Sequence, residues 1–315
     1  MGSPRSYASS PMLAALLISL CLLISALGCG GKSASGTPVT LGNVFPGSDN
    51  LTKRLVVVPF SSGIPTLKDR AQDLEAGVNQ YLKSLNRFAL TDFEELAQAM
   101  KQVHSAVNDP RARMLMAGRL LGLNTIISGQ MTDLSVEYSL TGIYGFRDNT
   151  PFLGLESELT VIDVASGTIL GQRPFRQEEE ISDVEAEGIK LGESPKKDKV
   201  DKLAQRMNAR IKEWIGEILS GQGWTGYVLA VEGNRVKITA GKDTGFKKGD
   251  QLSLYALGER IVSGTGLPLY LPGPLAGTII LNEIGDRTTW ADFVPQDKSS
   301  KTQPPLEPGM VVRAK

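Results

Sequence analysis

The hydrophobic pattern of the chain changes period along its length, and each period predicts a different kind of structure. Residues 54–60 contain an unbroken aliphatic run at 55–58, bounded by polar residues, which predicts a strand buried on both faces. Apolar residues then recur at helical spacing over 67–85 and 93–107, with a short strand at 87–91 between these two helices. Because a strand buried on both faces needs helices packed over it, the pattern predicts an α/β layer.

Capping signals and a second apolar run extend this layer. Helix starts are predicted at three places, namely Thr66 with Asp69, Asp92 with Glu95, and Asp109 with Pro110. Gly122 ends the third helix, and residues 123–128 predict a second buried strand.

From residue 134 the period becomes that of half-buried antiparallel strands. Strict alternation at 134–141 predicts one such strand, and two more follow at 152–164 and 168–176 around a turn at 165–167. Residues 178–199 are then predicted to be a charged connection. A closing helix is predicted at 200–218, ending at Gly221.

Three segments of this region carry a family resemblance, namely 55–60 (LVVVPF), 121–129 (LGLNTIISG) and 159–170 (LTVIDVASGTIL). With the order of elements from Arg54 to Leu219, they resemble the curli secretion lipoprotein family. The amino-terminal domain of Tol translocation protein B and flagellar assembly protein T are similar. The resemblance implies a three-layer α/β domain with a mixed sheet over residues 54–220, an envelope-assembly or scaffolding role, and no catalysis.

Beyond Gly221 helical spacing stops, and glycine or charged turns separate short apolar segments at 224–231, 235–240, 251–255, 277–281 and 310–313. Such strands predict a small antiparallel barrel over residues 224–315. The turn GFKKGD is similar to one in SH3-like domains, and the arrangement is similar to the carboxy-terminal domain of flagellar assembly protein T, apart from a Gly/Pro-rich insertion at 259–274. We therefore expect an α+β protein whose barrel folds independently, with the boundary at 221–223.

The amino-terminal leader predicts secretion. Residues 12–27 form an uninterrupted apolar run that is short for a spanning helix, which needs about 20 residues. The sequence Ala-Leu-Gly-Cys ending at Cys29 resembles the lipobox of bacterial lipoproteins, which implies removal of residues 1–28 and acylation of Cys29. An ordinary cleaved signal or an uncleaved anchor is the alternative. By analogy with enteric sorting, Gly30 implies the outer membrane, and residues 29–53 then form a flexible tether.

Charge and cysteine usage exclude several classes of function. The 34 basic and 34 acidic residues balance, so no global field favours nucleic acid or an anionic membrane. Cys21 and Cys29 are the only cysteines, and both lie in the leader. The folded part can therefore form neither a disulfide nor a cysteine metal site.

Candidate catalytic residues are few. His104 is the only histidine, and a metal site or nucleophilic triad would need further His or Cys ligands. The sequence Gly31-Lys32-Ser33 imitates the end of a phosphate-binding loop, but Ala26 stands where that loop needs its first glycine. We therefore expect no enzymatic activity, cofactor or metal.

Carboxylates and tryptophans are more simply explained by structure. Glu156 and Glu158 project from one strand face, as an acid/base pair would, but no electrophile or metal partner accompanies them, so we expect a solvated sheet face. Residues 178–180, all glutamate, are expected to be solvated or, less simply, an acidic docking patch. Trp224 and Trp290 are expected in the barrel core.

Two functions remain open. The first is a non-catalytic lipoprotein on the periplasmic face of the outer membrane, a homo-oligomer that binds envelope proteins as a scaffold or assembly factor. The second is an oligomeric curli-type secretion channel subunit. Channels of this type span the membrane with two hairpins per subunit. The first could come from 133–141 with 152–162, but the second would come from 172–188, which holds eight charged residues. We therefore expect no pore.

Overall fold

The structure is a computed structural model that describes residues 51–103, 109–143, 146–262, 268–296 and 304–314. The predicted signal, Cys29, the Gly31-Lys32-Ser33 sequence and nearly all of the predicted tether lie outside the described residues. His104 also lies outside them.

The first part of the chain forms a mixed sheet with helices on both faces. The strands are β1 (Lys53–Val57), β2 (Ser61–Ser62), β3 (Phe88–Leu90), β4 (Thr125–Ile143), β5 (Phe146–Asp163) and β6 (Ile169–Glu180). The helices are α1 (Lys68–Ser84), α2 (Phe93–Gln102), α3 (Pro110–Leu120), α4 (Asp183–Lys190) and α5 (Lys197–Ser220). The strand order is β3-β1-β4-β5-β6, with β2 on β4 beyond β1. Strand β1 is parallel to its neighbours and β4, β5 and β6 are antiparallel, so the predicted mixed sheet is confirmed.

Each face of the sheet has its own hydrophobic core. On one face Val78 of α1 and Ile211 of α5 belong to the same buried cluster as Leu155 of β5. On the other face α2 and α3 contribute to a cluster that includes Val56 and Ile126 of the strands. The sheet is therefore covered by helices on both faces where β1 lies beside β4.

Strand β4 is longer than predicted. The sequence predicted two separate strands at 123–128 and 134–141, whereas the structure has one strand of 19 residues. A bulge between Met131 and Asp133 adds one residue to the strand. Before the bulge the odd-numbered apolar side chains face the core under α1 and α5, and after it the even-numbered ones do. That reversal makes one strand look like two in the sequence.

Helix α4 and one helix start also differ from the predictions. Residues 178–199 were expected to be a connection, but they contain the end of β6 and the whole of α4, which buries only Ala186 fully and is capped by Ser182. The predicted Thr66–Asp69 cap is wrong: α1 begins at Lys68 after a 3-10 turn with buried Leu67 at its N-cap, and no side chain caps it. Asp92 and Asp109 are N-caps as predicted, although only Asp109 accepts a capping hydrogen bond.

The second part of the chain forms a barrel. Its strands are β7 (Thr225–Glu232), β8 (Arg235–Ile238), β9 (Gln251–Tyr255), β12 (Leu275–Ile284), β13 (Thr289–Pro295) and β14 (Val311–Ala314), and they close in the order β12-β13-β8-β7-β14-β9. The small barrel is thus confirmed, and its likeness to SH3 domains stays a prediction. The insertion at 259–274 contains a hairpin of β10 (Arg260–Val262) and β11 (Pro268–Tyr270) that was not predicted, and β13 was not predicted either.

The two tryptophans of the barrel have different environments. Trp224 is buried and meets Phe246 edge to face, with ring centroids 4.8 Å apart. Trp290 is only half-buried and lies near Arg235 and Lys237, so its predicted core position is wrong. The alternation of β13 explains this, because it turns Thr289, Ala291 and Phe293 inward and Trp290 outward.

Candidate interaction surface

The barrel is attached at the amino-terminal end of β4, which we call its inner end; the carboxy-terminal end is the outer end. Asn124 Nδ2 donates to Thr225 O over 2.9 Å, and Thr125 Oγ1 donates to Gln222 Oε1 over 2.7 Å. Tyr227 of the barrel lies in the cluster formed under α2 and α3 and is 1% exposed. Burial raises the pKa of its phenol, so Tyr227 is neutral at physiological pH. The inner end of the sheet is therefore sealed by the barrel.

Arg54 of β1 forms an ion pair that joins the α/β part of the chain to the barrel. Its side chain is 5% exposed and binds Asp243 through both carboxylate oxygens, over 2.7 and 2.8 Å. The remaining guanidinium contacts go to the carbonyl oxygens of Leu121, Thr239 and Arg287. A buried guanidinium is tolerated when its donors are all used in this way.

The outer end of β4 projects beyond β1 and β2, while α4 packs on one face of it through contacts of Glu187 and Lys190 with Tyr138. Residues Asp133 to Ile143 pair with β5 on one side. On the opposite side β1 pairs with β4 only at 125–127 and β2 only at 130–131. Within the described ranges no strand pairs with that side of β4 beyond Met131. We call residues 133–143 on this side the open edge.

Backbone groups alternate along the open edge. Ile127 O accepts from Val58 N, so the odd-numbered residues of inner β4 point toward β1. The bulge after Met131 shifts this alternation by one residue. The N–H and C=O groups of Leu134, Val136, Tyr138 and Leu140 therefore point away from β5, toward the open edge.

The terminal strand β6, on the far side of β5 from the open edge, is covered. Pro174 interrupts its row of N–H groups, because proline has none. From α5, Lys199 Nζ donates to Glu180 O over 3.2 Å, and Arg206 Nη2 donates to Glu178 O over 2.8 Å. Proline and cations of this kind prevent a further strand from pairing. Residues 133–143 contain no proline, lysine or arginine, and Lys190 of α4, which lies beside them, donates to the Tyr138 hydroxyl rather than to a backbone carbonyl.

The sheet face next to the open edge is acidic, with one arginine across it. Arg176 of β6 contacts carboxylates on three strands: Glu137 at 2.5 Å, Glu156 at 2.6 Å and Glu178 at 2.5 Å. The guanidinium lies over Gly154, where a Cβ would meet Nη2 at 3.1 Å. A larger side chain at this position would crowd the guanidinium, so Gly154 lets Arg176 reach across two strands.

These ion pairs shift the pKa values of the groups that form them. The hydrogen bond with Glu137 is the largest contribution that raises the pKa of Arg176, ahead of those with Glu156 and Glu178. On the covered edge, the hydrogen bond from Lys202 lowers the pKa of Glu179, and Arg206 adds to this effect. The glutamates of 178–180 were expected to be solvated. Glu179 instead has a side chain only 15% exposed and is paired with both cations.

The predicted carboxylate pair is divided between different partners. Glu156 pairs with Arg176, whereas Glu158 accepts from Gln172 Nε2. Sequence reasoning missed Arg176 as the centre of this face. A signal was present, because Arg176 has the same strand parity as Glu178 and Glu180 and is the only cation among them.

Across the described ranges, no cluster of three or more His, Cys, Asp or Glu side chains could hold a metal ion. None of the helices from α1 to α5 combines the length and apolarity that crossing a membrane requires.

Comparisons with known proteins give weak similarities only. No family model and no curated protein matches the sequence. Among solved structures, hypothetical protein CT253 from Chlamydia trachomatis is 11% identical, covering 53% of this chain and 98% of its own, with a TM-score of 0.33. Lipoprotein GNA1162 from Neisseria meningitidis is 12% identical, covering 52% and 99%, with a TM-score of 0.29. A minor lipoprotein from Acinetobacter baumannii is 14% identical, covering 53% and 92%, with a TM-score of 0.26. The structures similar to this chain thus include bacterial lipoproteins, at scores too low to argue function.

Proposed function

We propose that the protein is a non-catalytic lipoprotein, anchored through Cys29 to the periplasmic face of the outer membrane, that acts as a scaffold or assembly factor for an envelope machine. One observation carries this proposal: an apolar signal ending at Cys29 precedes a folded body whose sheet has an open edge. The anchor would hold the body at the membrane, and the edge gives it a surface for other proteins. Homo-oligomers are part of the proposal.

The absence of enzymatic activity is proposed from the sequence. The chain has one histidine, and both of its cysteines lie in the leader, so the usual nucleophiles and soft metal ligands are scarce. Three carboxylates of the outer sheet form ion pairs with Arg176, and Glu158 accepts a hydrogen bond from Gln172. Such pairing is typical of structural networks rather than of a general base that has to accept a proton.

The anchor is tested by cell fractionation and lipid labelling. We expect wild-type protein to carry an incorporated acyl label and to sediment with membranes, because two acyl signals give stable anchoring. Cys29→Ser should lose the label and either be released or remain unprocessed. Ser33→Ala, in the predicted tether, is the matched control and should behave as wild type. Unlabelled wild type and equal membrane retention of Cys29→Ser would contradict the anchor.

A secretion channel subunit remains the second candidate, and the length of the β4–β5 hairpin favours it. Spanning strands need about 9–11 residues, and residues 133–143 are long enough. Two observations speak against it. The apolar face of Leu134, Val136 and Tyr138 already packs on the core rather than facing lipid. In addition, residues 172–188 contain most of β6 and the start of α4 rather than a second hairpin.

Planar bilayer recording separates the two functions. The purified lipoprotein should give no reproducible single-channel steps, because a second hairpin with eight charges would be costly in lipid, at about 2–4 kcal/mol for each basic residue at the midplane. Protein-dependent steps of constant size would establish the channel and overturn the scaffold.

A further inference from the structure

The outer part of the sheet is bounded by the open edge and by β6, and these two edges differ in whether another strand could join them. Edge β6 has Pro174 and two donors from α5 on its carbonyl groups, whereas no strand in the described part of the chain pairs with residues 133–143 on the side away from β5. Leu140 is 67% exposed and Ile143 is 82% exposed at the outer end. An exposed edge strand that has no proline and no cation on its outward backbone groups can pair with a strand of another chain.

The two faces beside the open edge set the chemistry of the strand that would pair there. On one face Leu134, Val136 and Tyr138 form a half-buried apolar row that Leu140 continues. On the other face Asp133 and Glu137 are acidic, and Glu137, although Arg176 pairs with its Oε2 atom, has a side chain 54% exposed. Cross-strand neighbours favour apolar next to apolar and opposite charges next to each other.

We propose that the open edge accepts an extended segment of a partner protein as an added strand, and that this segment alternates apolar with basic residues. The proposal rests on the proposed function and specifies how the scaffold would bind. Backbone hydrogen bonds to Leu134, Val136, Tyr138 and Leu140 supply affinity. The apolar side chains extend the row beside Tyr138, and the basic ones meet Asp133 and Glu137.

A second copy of this chain fits the edge less well. Antiparallel pairing of two copies over all of residues 133–143 places Glu137 opposite Ser139 of the other copy, so the two Glu137 side chains become diagonal neighbours on one face. Like charges at such positions disfavour pairing. The covered edge of another copy is unsuitable because of Pro174 and the α5 cations.

The test uses full-length protein in nanodiscs of zwitterionic lipid and a labelled nine-residue peptide that alternates lysine with valine. Fluorescence anisotropy gives affinity, and hydrogen exchange gives the position of binding. We expect at least tenfold tighter binding than for a matched glutamate–valine peptide, and slower exchange of the outward amides of residues 134–140. Equal affinity for the two peptides, or protection elsewhere, would overturn the proposal.

Two variants of the edge make the test specific. Leu140→Pro removes one outward N–H while leaving the β5 side of the ladder intact, and should weaken binding at least tenfold. Ser139→Lys adds a blocking cation to the exposed acidic face and should do the same, whereas the matched Ser139→Glu should bind as tightly as wild type or more tightly. All three variants should melt near the wild-type temperature. Unchanged binding in Ser139→Lys would contradict the proposal.

Other occupants and other functions give different outcomes. Concentration-dependent protection of residues 133–143 without peptide would show that a second copy occupies the edge and would overturn the hetero-partner. If Ser139→Lys retains the acyl label and all envelope crosslinks seen for wild type in cells, strand addition is wrong and the proposed function stands. If wild type shows neither label nor crosslinks but binds the peptide as expected, the proposed function fails and the edge chemistry stands.

Discussion

The two ends of β4 show how one strand can be sealed at one end and open at the other. At the inner end the side chain of Asn124 binds Thr225 of the barrel, that of Thr125 binds Gln222 just before the barrel, and Tyr227 fills the space beside them. At the outer end only β5, among the strands that the structure describes, pairs with β4, and Ile143 is 82% exposed. The inner end of β4 therefore contributes mainly to stability, and the outer end is the proposed binding surface. Substitutions at the inner end should lower the free energy of unfolding more than those at the outer end.

The largest difference is expected for tyrosines at the two ends. Tyr227→Ala leaves a cavity in a closed core and should lower the free energy of unfolding by about 3–5 kcal/mol. Tyr138→Ala, at the half-buried outer end, should lower it by about 1–2 kcal/mol. Chemical denaturation measures both. Equal losses would mean that the outer end is packed as firmly as the junction.

The second prediction concerns Arg54. Arg54→Leu leaves Asp243 and three carbonyl groups without their donor, and should cost about 2–4 kcal/mol. The control is Arg235→Leu, which removes an exposed pair with Glu283 and should cost less than about 1 kcal/mol.

The same experiment addresses the predicted independence of residues 224–315, which stays a prediction. If the barrel folds independently, Arg54→Leu should separate the denaturation curve into two transitions, because the contacts that couple the two parts are weakened. A single transition at lower denaturant would contradict independent folding. Gln222, at the predicted boundary, is 8% exposed and accepts a hydrogen bond from Lys53, so proteolysis at 221–223 should be slow in wild type and faster in Arg54→Leu.

Much of the fold was predictable because most helices and strands bury one face, and the apolar residues of that face recur at regular spacing in the sequence. The buried strand at 54–60 was predicted from a run of apolar residues, the closing helix from apolar residues at helical spacing, and β9 from a short segment between turns. Strand β13 was missed because Trp290 and Asp292 point outward and leave only three inward residues as signal. Helix α4 was missed because it is short and fully buries one alanine.

The candidate surface was less predictable than the fold. The sequence indicated an amphipathic strand at 134–141, but no local pattern shows whether a strand has one neighbour or two. That property depends on where β1 and β2 end, and β2 is only two residues long. Arg176 likewise needs the register of three strands to meet Glu137, Glu156 and Glu178. Both the open edge and the ion pairs of Arg176 depend on pairing between strands that are far apart in the sequence.

The third prediction is an alternating pattern of amide exchange along β4. At the outer end the amides of Ser135, Glu137 and Ser139 bond to β5 and should exchange at least about tenfold more slowly than their even-numbered neighbours, which is about 1.4 kcal/mol of protection. At the inner end, where β4 is paired on both sides, 125–127 should show no such alternation. Exchange resolved to single amides measures this. Uniform protection of 134–140 without an added partner would contradict an open edge.

The smallest effect is expected at the covered edge, in the acid range. Because Lys202 and Arg206 lower the pKa of Glu179 in the folded protein, its pairing contributes stability above the pKa of the unfolded chain. This contribution is lost as pH falls through the lower, folded pKa, since both states then bind the proton. Glu179→Gln should therefore be less stable than wild type at pH 7, by about 2 °C or less in Tm, and the difference should vanish in acid. Glu180→Gln, at the exposed neighbouring residue, is the control and should leave Tm unchanged at pH 7. A difference between wild type and Glu179→Gln that grows as pH falls would show that the pair with Lys202 and Arg206 does not stabilise this edge.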